Sequence, residues 1–195
     1  MPLDTSLSAG RPQKFSVCVF DVDGTLLDSD AALLEPFLAL GVPAAEVTFG
    51  HVLADECARL GIDVADYLAA YRIGQAEPYP GVPEVVARLD RWAVCSNKDG
   101  PAGRAELDFW GWHPTVALFA DDFGGPKQLG PVLEALGVIG DEVLFVGDTA
   151  HDRTCATASG AGFALAGWNP RAVPVAGDIV LDRPADVLGL LDNLN

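Results

Sequence analysis

Two carboxylates directly follow an apolar run near the start of the chain. The run "FSVCVF" (15–20) is typical of a buried strand, and it is followed by Asp21 and Asp23, with Gly24 and Thr25 next. Like charges this close repel each other, which costs stability unless a cation or a reaction uses them. The pair therefore predicts a metal site or a catalytic acid–base site.

Further polar side chains follow the later apolar runs of the chain. Because the carboxyl ends of parallel strands share one edge of a sheet, these side chains are expected to meet the first two acids there. Ser96, Asn97 and Lys98 follow the second run, Lys127 follows the third, and Asp148 and Asp152 follow the fourth.

The combination fits the hydrolysis of a phosphate monoester. Mg²⁺ commonly uses one or two carboxylates together with waters and substrate oxygens, so Asp21 and Asp148 could hold it and cancel the repulsion of an anionic phosphate. Asp21 would then attack phosphorus, and Asp23 would protonate the leaving oxygen and later activate water. Lys127 would add positive charge, and Ser96 would orient the phosphate oxygens.

The apolar runs alternate with helical patterns along most of the chain. This alternation indicates βαβ units and predicts the α/β class, with a Rossmann-like parallel sheet that has helices on both faces. The strand-like runs lie at 15–20, 91–96, 116–120, 142–147, 162–167 and 178–181, and the helical patterns at 82–89, 102–111, 128–137, 154–161 and 184–194.

The interval between Leu27 and Pro80 breaks the alternation, because it contains no convincing strand. Its segments "SDAALLEPFLALG", "HVLADECARLG" and "DVADYLAAYRIG" have helical apolar spacing. They predict a small all-helical cap over the sheet edge at which α/β proteins bind ligands. The predicted division is an α/β core of residues 15–27 and 80–195, a helical cap domain of residues 28–79 (here the helical insert), and a loose N-terminal leader of residues 1–14.

The composition excludes several classes of partner. A net charge of −16 opposes binding to nucleic acid or to an anionic membrane. No apolar stretch reaches the roughly 18 residues of a membrane span, and the N-terminus lacks the apolar segment of a signal peptide. The four cysteines form no CxxC pair, which favours buried, reduced thiols. These features predict a cytoplasmic monomer or weak dimer that acts on a small phosphorylated metabolite.

The motifs resemble those of the haloacid dehalogenase superfamily of phosphohydrolases. The resemblance depends on "DVDGTL" (21–26), on Ser96 after a strand, on Lys127, and on "GDT" (147–149) with Asp152. The position of the helical insert is similar to that in the helical-cap subgroup, which includes phosphoglycolate phosphatase-like enzymes. The stretches "YPGVPEVVARL" and "SNK" are also similar to that subgroup.

The resemblance implies a phosphatase that forms an aspartyl-phosphate and uses Mg²⁺. It implies that Asp21 is the nucleophile and Asp23 the general acid and base. Mg²⁺ would be bound by Asp21, by the backbone carbonyl of Asp23 and by Asp148, with Asp152 supporting it through water. The substrate phosphate is expected to contact Ser96, Asn97 and Lys127.

Two other functions stay open at this point. A phosphosugar mutase of the same superfamily would use the same acids but would need basic residues in the insert, where Arg59 and Arg72 are the only arginines or lysines. A non-catalytic phosphate- or metal-binding module would keep the fold, although the complete set of acids argues against it.

Lys98 is an alternative to Lys127 as the phosphate-holding lysine. The acids of the insert outnumber its arginines, which predicts a small, weakly charged leaving group.

Overall fold

The protein is an α/β fold built on one parallel sheet, in a computed structural model that describes residues 14–192. The strand order across the sheet is β3-β2-β1-β4-β5-β6, and all neighbours are parallel. The predicted Rossmann-like sheet is confirmed, and each strand lies within a predicted run. The strands are β1 (Val17–Phe20), β2 (Trp92–Cys95), β3 (Val116–Leu118), β4 (Val143–Gly147), β5 (Gly162–Ala166) and β6 (Ile179–Leu181).

Helices connect the strands and cover both faces of the sheet. The α-helices are α1 (Asp30–Ala39), α2 (Leu53–Leu60), α3 (Val64–Ala70), α4 (Val82–Val86), α5 (Gly100–Phe109), α6 (Ala120–Phe123), α7 (Leu129–Leu136) and α8 (Ala150–Ala158). Short 3₁₀ segments lie at Ala44–Glu46, Gly140–Glu142 and Pro184–Leu190.

Strand β1 lies at the centre of the sheet and is buried on both faces. Val17 and Val19 pack into the apolar cluster that includes α7 and α8, whereas Cys18 and Phe20 pack into the cluster that includes α4 and α5. The chain crosses to β2 on one side of β1 and returns to β4 on the other, so the strand order reverses between β1 and β4. Ligands bind outside the carboxyl ends of the strands at such a point.

The predicted helices differ from the observed ones at their ends, and two of them differ most. The last pattern, predicted as a helix over 184–194, forms only the 3₁₀ segment Pro184–Leu190. It stops there because the backbone turns to pair with Phe15, whose N–H donates to Leu190 and whose carbonyl accepts from Asp192. Helix α8 begins at Ala150, four residues before the predicted start, because Thr149 caps it.

The helical insert forms an apolar cluster of its own. Helices α1, α2 and α3 enclose the buried side chains Phe37, Val42, Val47, Cys57 and Tyr67. The expectation that this interval holds no strand is wrong in one detail, because its two ends pair. Leu27–Asp28 and Glu77–Pro78 form a two-stranded antiparallel ribbon.

The predicted leader falls almost entirely outside the described residues, which begin at Lys14. The four cysteines are all buried and unpaired, as predicted. Within residues 14–192, no helix has both the length and the apolar character needed to cross a membrane.

Packing around the central strands should dominate stability. Leu144 on β4 is fully buried, and Leu144→Ala should lower the free energy of unfolding by about 2–5 kcal/mol, because it leaves a cavity in a close-packed core. Ile139 is 66% exposed, and Ile139→Ala should stay within about 0.5 kcal/mol of wild type. Urea denaturation measures both, and equal losses would contradict this view of the core.

Candidate active site

Asp21 lies at the carboxyl end of β1, beside β4. Its backbone N–H donates to the carbonyl of Val146 at 3.0 Å, which continues the pairing of the two strands. One carboxylate oxygen accepts from the N–H of Val22 at 2.8 Å, and the other lies 3.0 Å from the Lys127 ammonium. Asp21 is therefore fixed at the point where the strand order reverses.

Lys127 is buried and lies between two carboxylates. Besides Asp21, its ammonium contacts one oxygen of Asp152 at 2.5 Å. Burial alone would lower the pKa of Lys127, but the Asp152 and Asp21 carboxylates outweigh it and raise that pKa above the ordinary value. The other oxygen of Asp152 accepts from the N–H and hydroxyl of Thr149 at 2.9 and 2.6 Å. Asp152 thus fixes both the lysine and the start of α8.

Three buried carboxylates share this small space. One oxygen from each of Asp21, Asp148 and Asp152 lies within 4.8 Å of the others. Burial, together with the nearby Asp21 and Asp152 carboxylates, raises the pKa of Asp148 to about 8. Burial also raises the pKa of Asp21 to about 6, although the Lys127 ammonium opposes this. One lysine does not neutralise three acids, and the oxygen donors are of the kind that Mg²⁺ takes.

The loop after β1 is shaped around Asp148. Asn169 donates to a carboxylate oxygen of Asp148 at 2.8 Å and to the carbonyl of Gly24 at 2.9 Å, and the Thr25 hydroxyl donates to the other oxygen at 3.3 Å. Gly24 has a φ of +79°, and a Cβ there would lie 2.4 Å from the Asp148 carboxylate. Only glycine fits this position without moving the acid.

Asp23 is paired with the second lysine rather than with Lys127. The Lys98 ammonium donates to the two carboxylate oxygens of Asp23 at 2.8 and 3.2 Å. Lys98 is buried, with 4% of its side chain exposed, so it does not lie at the solvated rim of the site. Each lysine therefore serves a different acid, Lys127 for Asp21 and Lys98 for Asp23.

Ser96 and Asn97 connect these groups to the loops around them. The Ser96 hydroxyl accepts from the N–H of Lys98 at 3.2 Å, and its hydrogen bond lowers the pKa of Asp21 against the larger effect of burial. The Asn97 side chain donates to the carbonyl of Gly50 in the helical insert at 3.0 Å and accepts from the N–H of Lys127 at 2.7 Å. All the candidate site residues that were predicted from the sequence therefore lie at one edge of the sheet.

Three residues near the site were not found from the sequence. Asn169 follows β5, so it could have been predicted in the same way as the other polar residues that follow strands. Tyr71 and Glu106 form a hydrogen bond beside Lys98, since the Tyr71 hydroxyl donates to Glu106 at 2.7 Å and accepts from Lys98 at 3.1 Å. No motif marks either residue, because their meeting depends on how the insert packs on α5.

Comparison with known proteins assigns the chain to a family. The family model described as haloacid dehalogenase-like hydrolase matches residues 15–160, about three quarters of the chain. The chain belongs to this family. The resemblance drawn from the motifs is thereby confirmed, and the protein is a haloacid dehalogenase-like hydrolase.

Individual relatives agree with this assignment. A protein named phosphoglycolate phosphatase from Aquifex aeolicus is 29% identical in an alignment that covers 91% of this chain and 97% of the relative. Pyrophosphatase PpaX from Halalkalibacterium halodurans is 27% identical over 71% of this chain and 77% of its own. The crystal structure of a candidate phosphoglycolate phosphatase from Lactobacillus plantarum superposes with a TM-score of 0.72 at 26% identity, covering 91% of this chain and all of the other.

The raised carboxyl pKa values predict that the metal-free hydrolase loses stability as the pH rises. The ordinary carboxyl pKa is about 4, so above that pH the folded protein keeps protons that the unfolded chain has released, on Asp21 up to about pH 6 and on Asp148 up to about pH 8. Stability should therefore fall as the pH passes from about 5 to about 8, by at most about 1.4 kcal/mol per pH unit for each carboxyl. Urea denaturation of chelator-treated protein across this range measures the slope.

Mg²⁺ and one substitution provide the controls. Added Mg²⁺ should restore stability most at the alkaline end, where the acids are ionised. Asp148→Asn should flatten the slope and remove much of the Mg²⁺ response, whereas Asp141→Asn on the exposed surface should change neither. A slope that persists unchanged in Asp148→Asn would show that another group titrates.

Proposed function

We propose that this hydrolase is a Mg²⁺-dependent phosphatase that cleaves a small phosphomonoester through an aspartyl-phosphate on Asp21. Asp23 acts as the general acid and base, while Ser96 and Lys127 bind the phosphoryl oxygens. The helical insert acts as a cap domain over the site. The unpaired, buried cysteines also support a cytoplasmic location for the reaction.

One observation carries the proposal, the separation of two acids into two charged environments. Asp21 contacts the Lys127 ammonium at 3.0 Å beside the acid cluster, whereas Asp23, two residues on, contacts the Lys98 ammonium at 2.8 Å. A nucleophile needs neighbouring positive charge to approach an anionic phosphate. A general acid needs a separate place, beside the leaving group. Two acids with two distinct lysine partners meet both needs.

The donor set fits a magnesium ion. Asp21 and Asp148 would hold it with the backbone carbonyl of Asp23, and Asp152 would act through water, because Lys127 and Thr149 already occupy both of its oxygens. When bound, Mg²⁺ supplies positive charge that cancels the repulsion between the acids and the phosphate.

The first step transfers the phosphoryl group to Asp21. A carboxylate oxygen of Asp21 forms a bond to phosphorus as the bond from phosphorus to the alcohol oxygen breaks. Asp23 gives its proton to that oxygen, so the leaving group departs as a neutral alcohol. Lys127 stabilises the charge on the phosphoryl oxygens, and it is already fixed by Asp152 before substrate arrives.

The second step releases inorganic phosphate. Asp23, now ionised, accepts a proton from water as the water oxygen attacks phosphorus. The bond between phosphorus and Asp21 breaks, which regenerates the Asp21 carboxylate and the protonated Asp23. Each turnover therefore returns both acids to their starting protonation states.

The phosphatase is favoured over a mutase by the arginines of the insert. A mutase must hold a second phosphate on its intermediate. The Arg59 guanidinium donates to Glu56 at 2.6 and 2.8 Å, and Arg72 is exposed. Neither arginine lines the space beneath the insert, and the two arginines that do line it, Arg153 and Arg171, are already paired with Asp178 and Asp30.

Two substitutions test the mechanism with p-nitrophenyl phosphate. Asp21→Asn removes the nucleophile and should abolish turnover while the circular dichroism spectrum stays unchanged. Asp23→Asn should slow steady-state turnover by roughly 10²–10⁴-fold, because water is no longer activated. It should still release a rapid burst of nitrophenolate equal to the enzyme concentration, since this leaving group departs without a proton.

Controls separate the chemistry from loss of folding or metal. Chelation should remove wild-type activity, and added Mg²⁺ should restore it. Turnover by Asp21→Asn at the wild-type rate would contradict the assignment of the nucleophile. Wild-type turnover of an alkyl phosphate by Asp23→Asn would contradict that of the general acid.

A further inference from the structure

A cavity of about 450 Å³ lies between the catalytic sheet edge and the helical insert. Its floor is made by the acids and lysines of the site. Its upper wall is largely apolar, although Thr48, His51 and Glu56 of the insert also line the cavity. The larger apolar side chains that line it are Leu33, Phe37, Phe49, Leu53, Leu68, Val173 and Val175.

Every lysine or arginine that lines this cavity already has an acidic partner. A negatively charged leaving group would therefore have to break an existing ion pair to gain a cation. The pairs are Lys98 with Asp23, Lys127 with Asp21 and Asp152, Arg153 with Asp178, and Arg171 with Asp30. His51, which also lines the cavity, packs its ring against His151 at 5.4 Å between ring centroids.

Two lining residues are apolar although they are open to solvent. Val173 is 71% exposed and Val175 is 49% exposed, and both lie in the loop between β5 and β6. Apolar side chains at the mouth of a cavity gain free energy when a ligand covers them. A hydrocarbon leaving group would cover them, whereas a carboxylate placed beside them would lose hydration without a partner.

We propose that the preferred substrate is a phosphomonoester of an uncharged, largely apolar alcohol, and that the upper wall with Leu33 selects it. This inference rests on the proposed phosphatase function. It differs from what the names of the relatives would suggest, because the glycolate part of phosphoglycolate carries a carboxylate.

A matched pair of esters tests the choice. Propyl phosphate and 2-phosphoglycolate have similar length, but the second has a carboxylate in place of an ethyl group. kcat/KM should be at least about 10-fold higher for propyl phosphate, because the carboxylate is desolvated without a free cation. Each further methylene, up to hexyl phosphate, should raise kcat/KM by about 3- to 4-fold until the cavity is filled.

A new cation should reverse the preference. Leu33→Arg places a guanidinium on the cavity side of α1 and should raise the kcat/KM ratio of phosphoglycolate to propyl phosphate by about 10-fold or more. Leu38→Arg, on the same helix but 48% exposed and outside the lining, should leave the ratio unchanged. Leu68→Arg tests the same point from α3 if Leu33→Arg does not fold.

The outcomes separate this inference from the function on which it rests. A wild-type preference for phosphoglycolate over propyl phosphate would overturn the inference and leave the phosphatase intact. Hydrolysis of none of these esters with Mg²⁺ present would overturn the phosphatase itself. If His51→Ala alone removes activity on phosphoglycolate, the imidazole is the missing cation and the inference also fails.

A second, independent observation concerns Glu106, a carboxylate with no exposed surface on α5. Its two oxygens accept from the Tyr71 hydroxyl at 2.7 Å and from the N–H of Gly74 at 3.1 Å, where the chain leaves the insert. Because the Tyr71 proton is committed to Glu106, the Tyr71 oxygen is left to accept from Lys98 at 3.1 Å. Lys98 in turn donates to Asp23.

We infer that Glu106 is a positioning residue for Asp23 and acts through Tyr71 and Lys98. The buried charge of Glu106 fixes the tyrosine, the tyrosine fixes the lysine, and the lysine orients the acid that protonates the leaving group. Tyr71 and Gly74 belong to the insert and Glu106 to α5, so the alignment of the general acid depends on the packing of the insert against α5.

Leaving-group dependence tests this role. Glu106→Gln keeps the shape but removes the charge, and should lower kcat/KM for propyl phosphate by about 10-fold while changing that for p-nitrophenyl phosphate less than about 2-fold. The nitrophenolate needs no proton, so a loss that is equal for both esters would mean a merely structural role. Glu134→Gln, exposed on α7, is the matched control and should change neither.

A double variant completes the test. If Glu106 acts through Asp23, Glu106→Gln should cause no further loss on propyl phosphate in an Asp23→Asn background. Tyr71→Phe should reproduce the selective loss, because it breaks the same connection. Additive losses in the double variant would overturn the inference.

Discussion

The contact of the Lys127 ammonium with Asp21 at 3.0 Å and with Asp152 at 2.5 Å makes the rest of this sheet edge possible. Three buried carboxylates within 4.8 Å would otherwise repel one another at a place where water cannot screen them. The lysine neutralises part of the negative charge of the carboxylates. The negative charge that remains would favour the binding of a divalent cation. The mutual repulsion of the acids and the proposed affinity for Mg²⁺ therefore have one cause.

The parallel sheet brings these carboxylates close together. Strands β1, β2 and β4 end at the same edge, so each contributes a polar side chain without a long loop. Backbone pairing fixes the direction of Asp21, and helix capping by Thr149 fixes Asp152. Rigid elements therefore determine the positions of the acids, and little conformational entropy is lost when a substrate arrives.

The sheet and the acid cluster could be predicted from the sequence because both depend on local patterns. Apolar runs mark the strands, Asp21 and Asp148 stand directly after them, and Asp152 follows four residues after Asp148. The partnership of Lys98 with Asp23 could not be predicted, because it depends on a side-chain conformation and on burial beneath the insert. The role of Glu106 could not be predicted for a similar reason, because it contacts Tyr71, 35 residues away in the sequence, through tertiary packing alone. The shortened C-terminal helix reflects competition from pairing with Phe15, which no helical pattern reveals.

The ribbon of Leu27–Asp28 with Glu77–Pro78 has a consequence for how such a protein can change over evolution. The chain leaves the sheet and returns to it through two paired segments, so the helices between them can be lengthened, shortened or replaced without shifting the strand ends. Under the proposed function, mutations in that interval that keep Tyr71 and Gly74 in place would alter which alcohols are accepted and spare the phosphorus chemistry below. The molecule thus contains one part that is free to diversify and another that must stay constant.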